Sequence, residues 1–479
     1  MTPEGRVFGV ALSEGVDAEL RRHLVRADGQ EDLCFALWSP SEGERRTTAL
    51  VHTVVLPETG EREVHGNASF APAYFERAVT LAASEGCGLA FLHSHPGPGW
   101  QGMSRADVVA ERDKMAGATA ALTDLPLVGL TSGTDGSWSA RFWCRTGPKV
   151  YQRAWCESVR VVGEALGTTF CDDLVPAPAF RELFLRTVTV WGKKNHQTLA
   201  RLRIGIVGLG SVGSIVAEAL ARMGLRVFVL IDHDHVQPHN LDRLQFACEA
   251  DLGRLKVEVA AERMHAVATA ASVDVRTVPY SLAEEPGYRA ALDCDVLFSC
   301  VDRPRARHIL NHLAYAHLIP VIDGGIEVRF KNGAFSGVDW QLQTAAPGRP
   351  CLDCLGTYNT SDVSVEESGM LDNPSYLKGL PSDHRYKRNE NVFPFSANLA
   401  SLEVLQFIAL ATSIARMPNL GVQRFHYMAG LLESDTERVC KSDCETAKLT
   451  ARGDRYFTLS GRDVGAEKTR AERLDGVAR

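Results

Sequence analysis

Three groups of side chains have the types and spacing to do chemistry. The first is His93-Ser94-His95, followed by Ser104 and Asp107. Two imidazoles and a carboxylate suit zinc, and catalytic zinc usually keeps three protein ligands and one open position. Such an ion polarises a carbonyl and activates water. A hydrolase also needs a base to carry the proton to the leaving amine. Glu31, at the head of the apolar run LCFALWS, is the candidate base, and Ser104 a candidate donor to a developing oxyanion. A lone histidine pair on a strand is more often polar decoration, and a lone serine more often a helix cap. The combination is what carries the reading.

The second group begins with the turn Gly208-Leu-Gly210-Ser-Val-Gly213. Its glycines let phosphates approach backbone N–H groups at a helix N-terminus. Alone it suggests a dinucleotide oxidoreductase. Asp232, after the next strand, suits a ribose hydroxyl in either case. The loop DHDHVQPHNLDR then gathers Asp232, Asp234, Asn240 and Arg243, with Lys256 opening a later helix. Arg243 and Lys256 would neutralise phosphates, and Asp302, at the end of DVLFSCVD, would suit the Mg²⁺ carried by ATP. A nicotinamide site has no use for that cluster. The third group is Cys351-x-x-Cys354 with Cys440-x-x-x-Cys444, which can make a tetrahedral structural zinc site.

These groups need elements to hold them. GLAFLHSH (88–95) reads as a strand, whose period of two puts both histidines on one face. The Gly/Pro-rich stretch after Pro96 can fold back, and Ser104 then caps a helix with Asp107 in its first turn. A helix at 17–24, strands at 33–39 and 47–56, a helix from Ala71, and the strands LPLVGLTS and SWSARFWC complete an α/β domain at 1–150. Residues 151–200 read as a connecting region with short helices. Strands and helices alternate from Leu202, which predicts a mostly parallel sheet covered on both faces in a domain at 201–450. A polar tail at 451–479 should be poorly ordered over its last stretch.

The pattern of Glu31 upstream, then His93-x-His95-Pro96, seven residues, Ser104, two residues and Asp107 resembles the JAB1/MPN/Mov34 (JAMM) metalloprotease family. Glu14 and Asp32 lie close in sequence, but the context EDLCFALW favours Glu31 as the family's glutamate. The resemblance implies a JAB/MPN fold and a peptidase or isopeptidase acting after the C-terminal glycine of ubiquitin-like proteins.

The second half resembles the E1/ThiF/MoeB adenylating family through Gly208, Gly210, Gly213, Asp232, Asn240, Arg243, Lys256 and Asp302. That implies a Rossmann-like domain using ATP and Mg²⁺, with Asp232 on the ribose. Asn240, Arg243 and Lys256 would lie around the phosphates, and Asp302 would support magnesium and catalysis. The entry segment RTVTVWGKKNHQTLARLRIGIVG is also similar, and implies a homodimer in which Arg186 reaches the partner's ATP. It supports a structural zinc at Cys351, Cys354, Cys440 and Cys444. The stretch from Tyr358 to Ala400, where E1 enzymes carry a thioester cysteine, has none, which favours adenylation alone.

Composition narrows the classes. The net charge of -7, from 52 basic and 59 acidic side chains, gives no footprint for nucleic acid. Nothing reads as a secretory leader or as an apolar run near the ~20 residues of a membrane span, so a cytoplasmic protein is expected. The remaining cysteines of the twelve read mostly as small buried apolar groups.

Both resemblances point to one object, the tail of a ubiquitin-like or sulfur-carrier β-grasp protein, trimmed and then adenylated. An E2-like protein or a sulfurtransferase would be a further partner. Fused modules of these kinds are associated in bacteria with ubiquitin-like conjugation, including antiviral (anti-phage) defence. The competing readings are sulfur-carrier activation for thiocarboxylate formation, an oxidoreductase, and a non-enzymatic scaffold that binds a ubiquitin-like protein.

Overall fold

The computed structural model describes residues 5–65, 67–331, 334–379, 391–412, 414, 418–455 and 461–477. The chain divides into two compact units. The first runs to Pro176 and takes in Ala316–Leu318 and a return of the chain at 449–455.

The strands of the first unit are β1 (Val7–Ser13), β2 (Leu33–Glu42), β3 (Arg46–Val55), β4 (Arg62–His65), β5 (Asn67–Phe70), β6 (Gly88–Ser94), β7 (Leu127–Ser132), β8 (Trp138–Gly147), β9 (Val150–Trp155), β10 (Ser158–Val162) and β11 (Leu166–Phe170). All but the β4–β5 hairpin join one nine-stranded sheet, in the order β11-β10-β1-β3-β2-β6-β7-β8-β9. Both faces are covered, so the central strands are apolar throughout rather than alternating. Along β2, Cys34, Ala36 and Trp38 enter one core, whereas Leu33, Phe35 and Leu37 enter the other. The helix Glu14–Leu24 packs on the first face and the helix Pro72–Ser84 on the second.

The connecting region expected at 151–200 begins only after Phe170. Residues 150–170 form β9, β10 and β11, and β10 lies parallel to β1. Local alternation in SVRVV is weak because Arg160 is itself buried, at 1% exposure. Its partner strand lies far back in sequence, so the pairing left no local trace. Short helices follow at Glu182–Phe184 (3₁₀), Leu185–Trp191 and Lys193–Leu199.

The second unit holds β12 (Arg203–Val207), β13 (Val227–Ile231), β14 (Asp274–Val278), β15 (Val296–Ser299), β16 (Val321–Lys331), β17 (Ala334–Ala345), β18 (Val422–His426) and β19 (Leu431–Asp435). Their order is β14-β13-β12-β15-β16-β17-β18-β19. The run from β14 to β16 is parallel, whereas β16 to β19 pair antiparallel. The sheet is therefore mixed rather than mostly parallel. The Gly324-Gly325 pair looks like the end of a strand, but β16 continues through it to Lys331.

Two further expectations change. The helix Phe393–Ala411 has 19 residues with mean hydropathy 1.3, so an apolar stretch of spanning length does exist. Its Glu403 and Gln406 are fully buried, and it packs on the helix Ser211–Arg222 and on β16 and β17. The tail, expected to be poorly ordered, forms the helix Val464–Val477. Arg470 of that helix pairs with Glu284 and sits 5.0 Å over the Tyr280 ring.

Candidate functional site

In the first unit β6 delivers His93, and His95 lies just beyond its end. Ser104 caps the helix Arg105–Val108: its hydroxyl accepts from the Asp107 N–H at 3.1 Å, and Asp107 Oδ2 accepts from the Ser104 N–H at 2.6 Å. This reciprocal box fixes Asp107 opposite the histidines. His93 Nε2 and His95 Nε2 are 3.2 Å apart, and each lies 3.6 and 3.5 Å respectively from an Asp107 oxygen. Burial alone would raise the Asp107 carboxyl, but hydrogen bonds from the two histidines, the charge of His93 and the Ser104 N–H hold it well below the usual carboxylate range. Two imidazole nitrogens and a carboxylate, converging from a strand end and a helix start, fit a zinc ion with one position open.

Glu31 lies just before β2. Leu33 is the cross-strand partner of His93, and the Ser94 N–H donates to the Asp32 carbonyl at 3.0 Å. The ladder ends at the Leu33–His93 pair, and Glu31 lies two residues before Leu33 in the chain. Asp32 is instead buried at 1% exposure and engaged by Arg26 and Arg62. His52 is half-buried and bonded to Ser39 and Thr53, and His65 is exposed; neither joins the group.

In the second unit a cleft of about 930 Å³ opens at the ends of the parallel strands, where ligands of such sheets bind. Gly208, Gly210, Asp232, Asp234, Asn240, Arg243, Lys256 and Asp302 all line it. Gly208 has φ +87°, and a Cβ there would stand 2.5 Å from the Cys300 carbonyl. Gly213 does not line the cleft. A Cβ on it would lie 1.9 Å from the Gly208 carbonyl, so it permits the close packing of turn against helix. Gly210 caps the helix Ser211–Arg222 and would meet nothing within 4 Å, leaving its backbone open to a ligand.

Asp232 accepts from the N–H groups of Leu209 and Asp234 at 2.6 and 2.8 Å, which ties the glycine turn to the acidic loop. Lys256 is 8% exposed, and its Nζ donates to Asp234 Oδ2 at 2.8 Å. Burial opposes its charge, but Asp232, Asp234 and Asp302 together raise its pKa. Arg243 is held by the His239 carbonyl and Asp242, at 2.5 and 2.9 Å. Arg186 lies exposed on the helix Leu185–Trp191 and is not part of this cleft.

Sequence reasoning missed several lining residues. Arg303, Arg305 and Arg307 follow Asp302 directly, and the run RPRAR was a legible basic signal beside the magnesium candidate. Asp463 lines the same cleft from far along the chain, without any local signal.

The four cysteines come together as expected: the sulfurs of Cys351, Cys354, Cys440 and Cys444 lie within 4.8 Å of one another. Backbone N–H groups of Cys351, Cys354, Lys441 and Ala447 point at these sulfurs, at 3.2–3.4 Å. Such donors favour thiolates, and the set fits a structural zinc. Cys34, Cys87, Cys144, Cys156, Cys171 and Cys294 are buried, as read from their apolar settings. Cys248 is exposed, and Cys300 lines the cleft with its thiol 3.8 Å from Glu403. The stretch Tyr358–Ala400, considered above for a thioester cysteine, lies in part (380–390) outside the described residues.

Among known proteins the chain is similar to the tRNA threonylcarbamoyladenosine dehydratase of Escherichia coli, 32% identical over 32% of this chain and 56% of that protein. It is similar to the SAMP-activating enzyme E1 of Haloferax volcanii, 29% identical over 34% of this chain and 57% of the relative. It is also similar to the molybdopterin-synthase adenylyltransferase of Escherichia coli, 27% identical over 40% of this chain and 72% of the relative. The chain thus spans a little over half the length of the first two. Among solved structures, Escherichia coli MccB with MccA-N7isoASN aligns with 56% of this chain and 75% of its own, at 16% identity and a TM-score of 0.44. The ThiF family profile matches residues 184–446, more than half of the chain, and on that match the chain belongs to the ThiF family.

Proposed function

We propose that the second unit is an E1-like adenylyltransferase that activates the C-terminal glycine of a ubiquitin-like or sulfur-carrier protein with ATP and Mg²⁺. The observation that carries this reading is the gathering of Gly208, Gly210, Asp232, Asn240, Arg243, Lys256 and Asp302 around one cleft. In the proposed step, a tail carboxylate oxygen bonds to the α-phosphorus as the bond to pyrophosphate breaks. The products are an acyl-adenylate and pyrophosphate. The open backbone at Gly210 and the helix behind it receive phosphate oxygens. Lys256 and Arg243 offset charge building on the leaving pyrophosphate, and such preorganised charge is usually the largest catalytic contribution. Asp302 would hold Mg²⁺, which supplies further charge neutralisation when bound. Asp234 keeps Lys256 protonated and aimed. Arg186 would act only in a homodimer, by reaching the partner's ATP.

The fate of the adenylate divides the reading between conjugation through an E2-like protein and thiocarboxylate formation with a sulfurtransferase. The state of Cys300 disfavours a thioester at that residue, which leaves the exposed Cys248 as the other candidate. Burial, with Glu403 and Asp323 nearby, pushes the Cys300 thiol well above the usual range, so little thiolate forms.

We further propose that the first unit is a JAMM-type zinc peptidase acting on the same tail. His93, His95 and Asp107 would hold the zinc, which polarises the scissile carbonyl when bound. Glu31 takes and returns the proton, and Ser104 donates to the developing oxyanion. Cys351, Cys354, Cys440 and Cys444 would hold a second, structural zinc. A bacterial ubiquitin-like pathway, antiviral or otherwise, would be a setting for these paired activities.

The test combines the full chain with ATP, Mg²⁺ and a β-grasp protein extended beyond its terminal glycine. Trimming to the glycine should precede a protein-dependent ATP–pyrophosphate exchange that Asp302→Ala abolishes. Exchange unaffected by Asp302→Ala would refute the adenylation site, and an uncut extension would refute the peptidase.

A further inference from the structure

We propose that Glu111, Arg141 and Thr131 form a buried clamp that sets how tightly His93, His95 and Asp107 hold their metal. The inference rests on the zinc reading above and deepens it; these are positioning residues, not ligands.

The metal group is built from two elements that have no covalent reason to stay in register. The imidazoles ride on β6, whereas Asp107 rides on the helix that starts at Arg105. That helix runs on into a π-wound turn, Val109–Met115, and then into the helix Ala116–Thr123. π turns are rare and cluster at functional positions. Glu111 sits in this turn, one helical turn beyond Asp107, with no exposed surface.

Behind the histidines, β7 pairs with β6 so that Thr131 is the neighbour of His93, and β8 pairs with β7 so that Arg141 faces Gly129. Arg141 is also fully buried. Its Nε donates to Glu111 Oε2 at 2.9 Å, a second guanidinium N–H donates to Oε1, and Trp143 Nε1 donates to Oε2 at 2.7 Å. The remaining guanidinium arm donates to Thr131 Oγ1 at 2.6 Å. Thr131 Oγ1 in turn lies 3.4 Å from His93 Nε2, the nitrogen that faces His95 and Asp107. The chain of contacts therefore closes on itself: Asp107 helix, Glu111, Arg141, Thr131, His93.

Two observations set this apart from an incidental buried ion pair. First, the sheet gives up a side chain to admit it. A Cβ on Gly129 would lie 2.4 Å from Glu111 Oε2 and 2.5 Å from Arg141 Nε. Second, a buried pair gains little net stability over apolar packing, because both charges must be desolvated. What the pair does provide is one fixed placement of helix against strand. Thr131 adds the last link: its oxygen accepts from Arg141 at 2.6 Å while its main chain pairs with that of His93 across β6 and β7, so losing the hydroxyl frees the guanidinium arm that ties the histidine strand to the Asp107 helix.

The experiment measures zinc affinity of the full chain by competition with a chelator. Asp107→Ala identifies which zinc belongs to this group, and thermal melting checks each variant's fold. Thr131→Val should weaken that zinc by about ten- to a hundredfold, the usual cost of losing an outer-shell partner, while Thr131→Ser restores it. Glu111→Gln keeps the volume and should also weaken it; it serves in place of Thr131→Val should that variant not fold. Wild-type affinity in either folded variant would overturn the clamp. If Asp107→Ala removes no zinc from the wild-type complement, the zinc reading itself fails, and the clamp with it.

Discussion

Lys256 donates from its Nζ to Asp234 Oδ2 at 2.8 Å, and its backbone N–H donates to the Asp234 carbonyl at 3.0 Å. The two residues are thus fixed at both main chain and side chain, with the ammonium facing the cleft that holds Asp232 and Asp302. Replacing Lys256 by Ala should lower pyrophosphate exchange on the order of 10²–10³-fold, the usual loss for one preorganised charge. The fold should survive, because Asp234 remains partly exposed and can be hydrated. An exchange rate within a few-fold of wild type would remove Lys256 from the proposed chemistry.

Glu31→Gln keeps the shape of the side chain but cannot take a proton. Cleavage of an extended β-grasp protein should fall about 10²–10⁴-fold, the scale of general-base catalysis, with zinc content unchanged. Loss of zinc in this variant would instead make Glu31 a ligand.

Cys351→Ser and Cys444→Ser should each remove one zinc per chain and lower the melting temperature by several degrees, because a structural site contributes folding energy directly. Asp107→Ala should remove a different zinc with little effect on melting. Metal analysis of the purified full chain separates the two sites. A stable, zinc-free wild type would contradict both.

Glu366, on the cleft wall, is raised from 4.5 to about 7 by burial, against the opposing pull of the Arg305 N–H and the Arg303 charge. Its folded pKa lies above its unfolded one. The penalty for ionising it is therefore absent below about 4.5, grows as the pH rises, and is complete above about 7. Glu366→Gln should gain stability relative to wild type across that window, on the order of 1–3 kcal/mol, and then hold level. Chemical unfolding at several pH values checks it; parallel pH profiles for the two proteins would show that the carboxyl ionises freely.

What could be read from the sequence was local. The period of two on β6, the Ser104–Asp107 cap and the glycine turn after β12 each depend on neighbours within a few residues, and each appears where its spacing put it. Non-local relationships were not legible. Ser158–Val162 becomes a strand because β1 lies beside it. Gly324 is not a strand end but the space into which Glu403 fits; a Cβ there would lie 2.2 Å from the Glu403 carboxylate. Glu111, within the charged run ERDKM, reads as a solvated helix face until Arg141 is brought against it. Arg186 had a role only through a resemblance, and it lies exposed, outside the cleft of its own chain.

The return of the chain at 449–455 bears on the order of synthesis. Gly453, at φ +57°, tucks under β2, where a Cβ would stand 2.1 Å from the Pro40 carbonyl. The Glu42 N–H donates to Asp454, and Arg455 donates to the Cys87 sulfur, both at 2.8 Å. A ribosome delivers the sheet of the first unit early and this closing piece only after nearly all of the second unit. The nascent first unit therefore waits through most of translation with part of β2 unsealed. A truncated N-terminal fragment would remain in that state permanently, and expression of the first unit calls for the closing segment to be supplied, in cis by a circular permutation or in trans as a peptide.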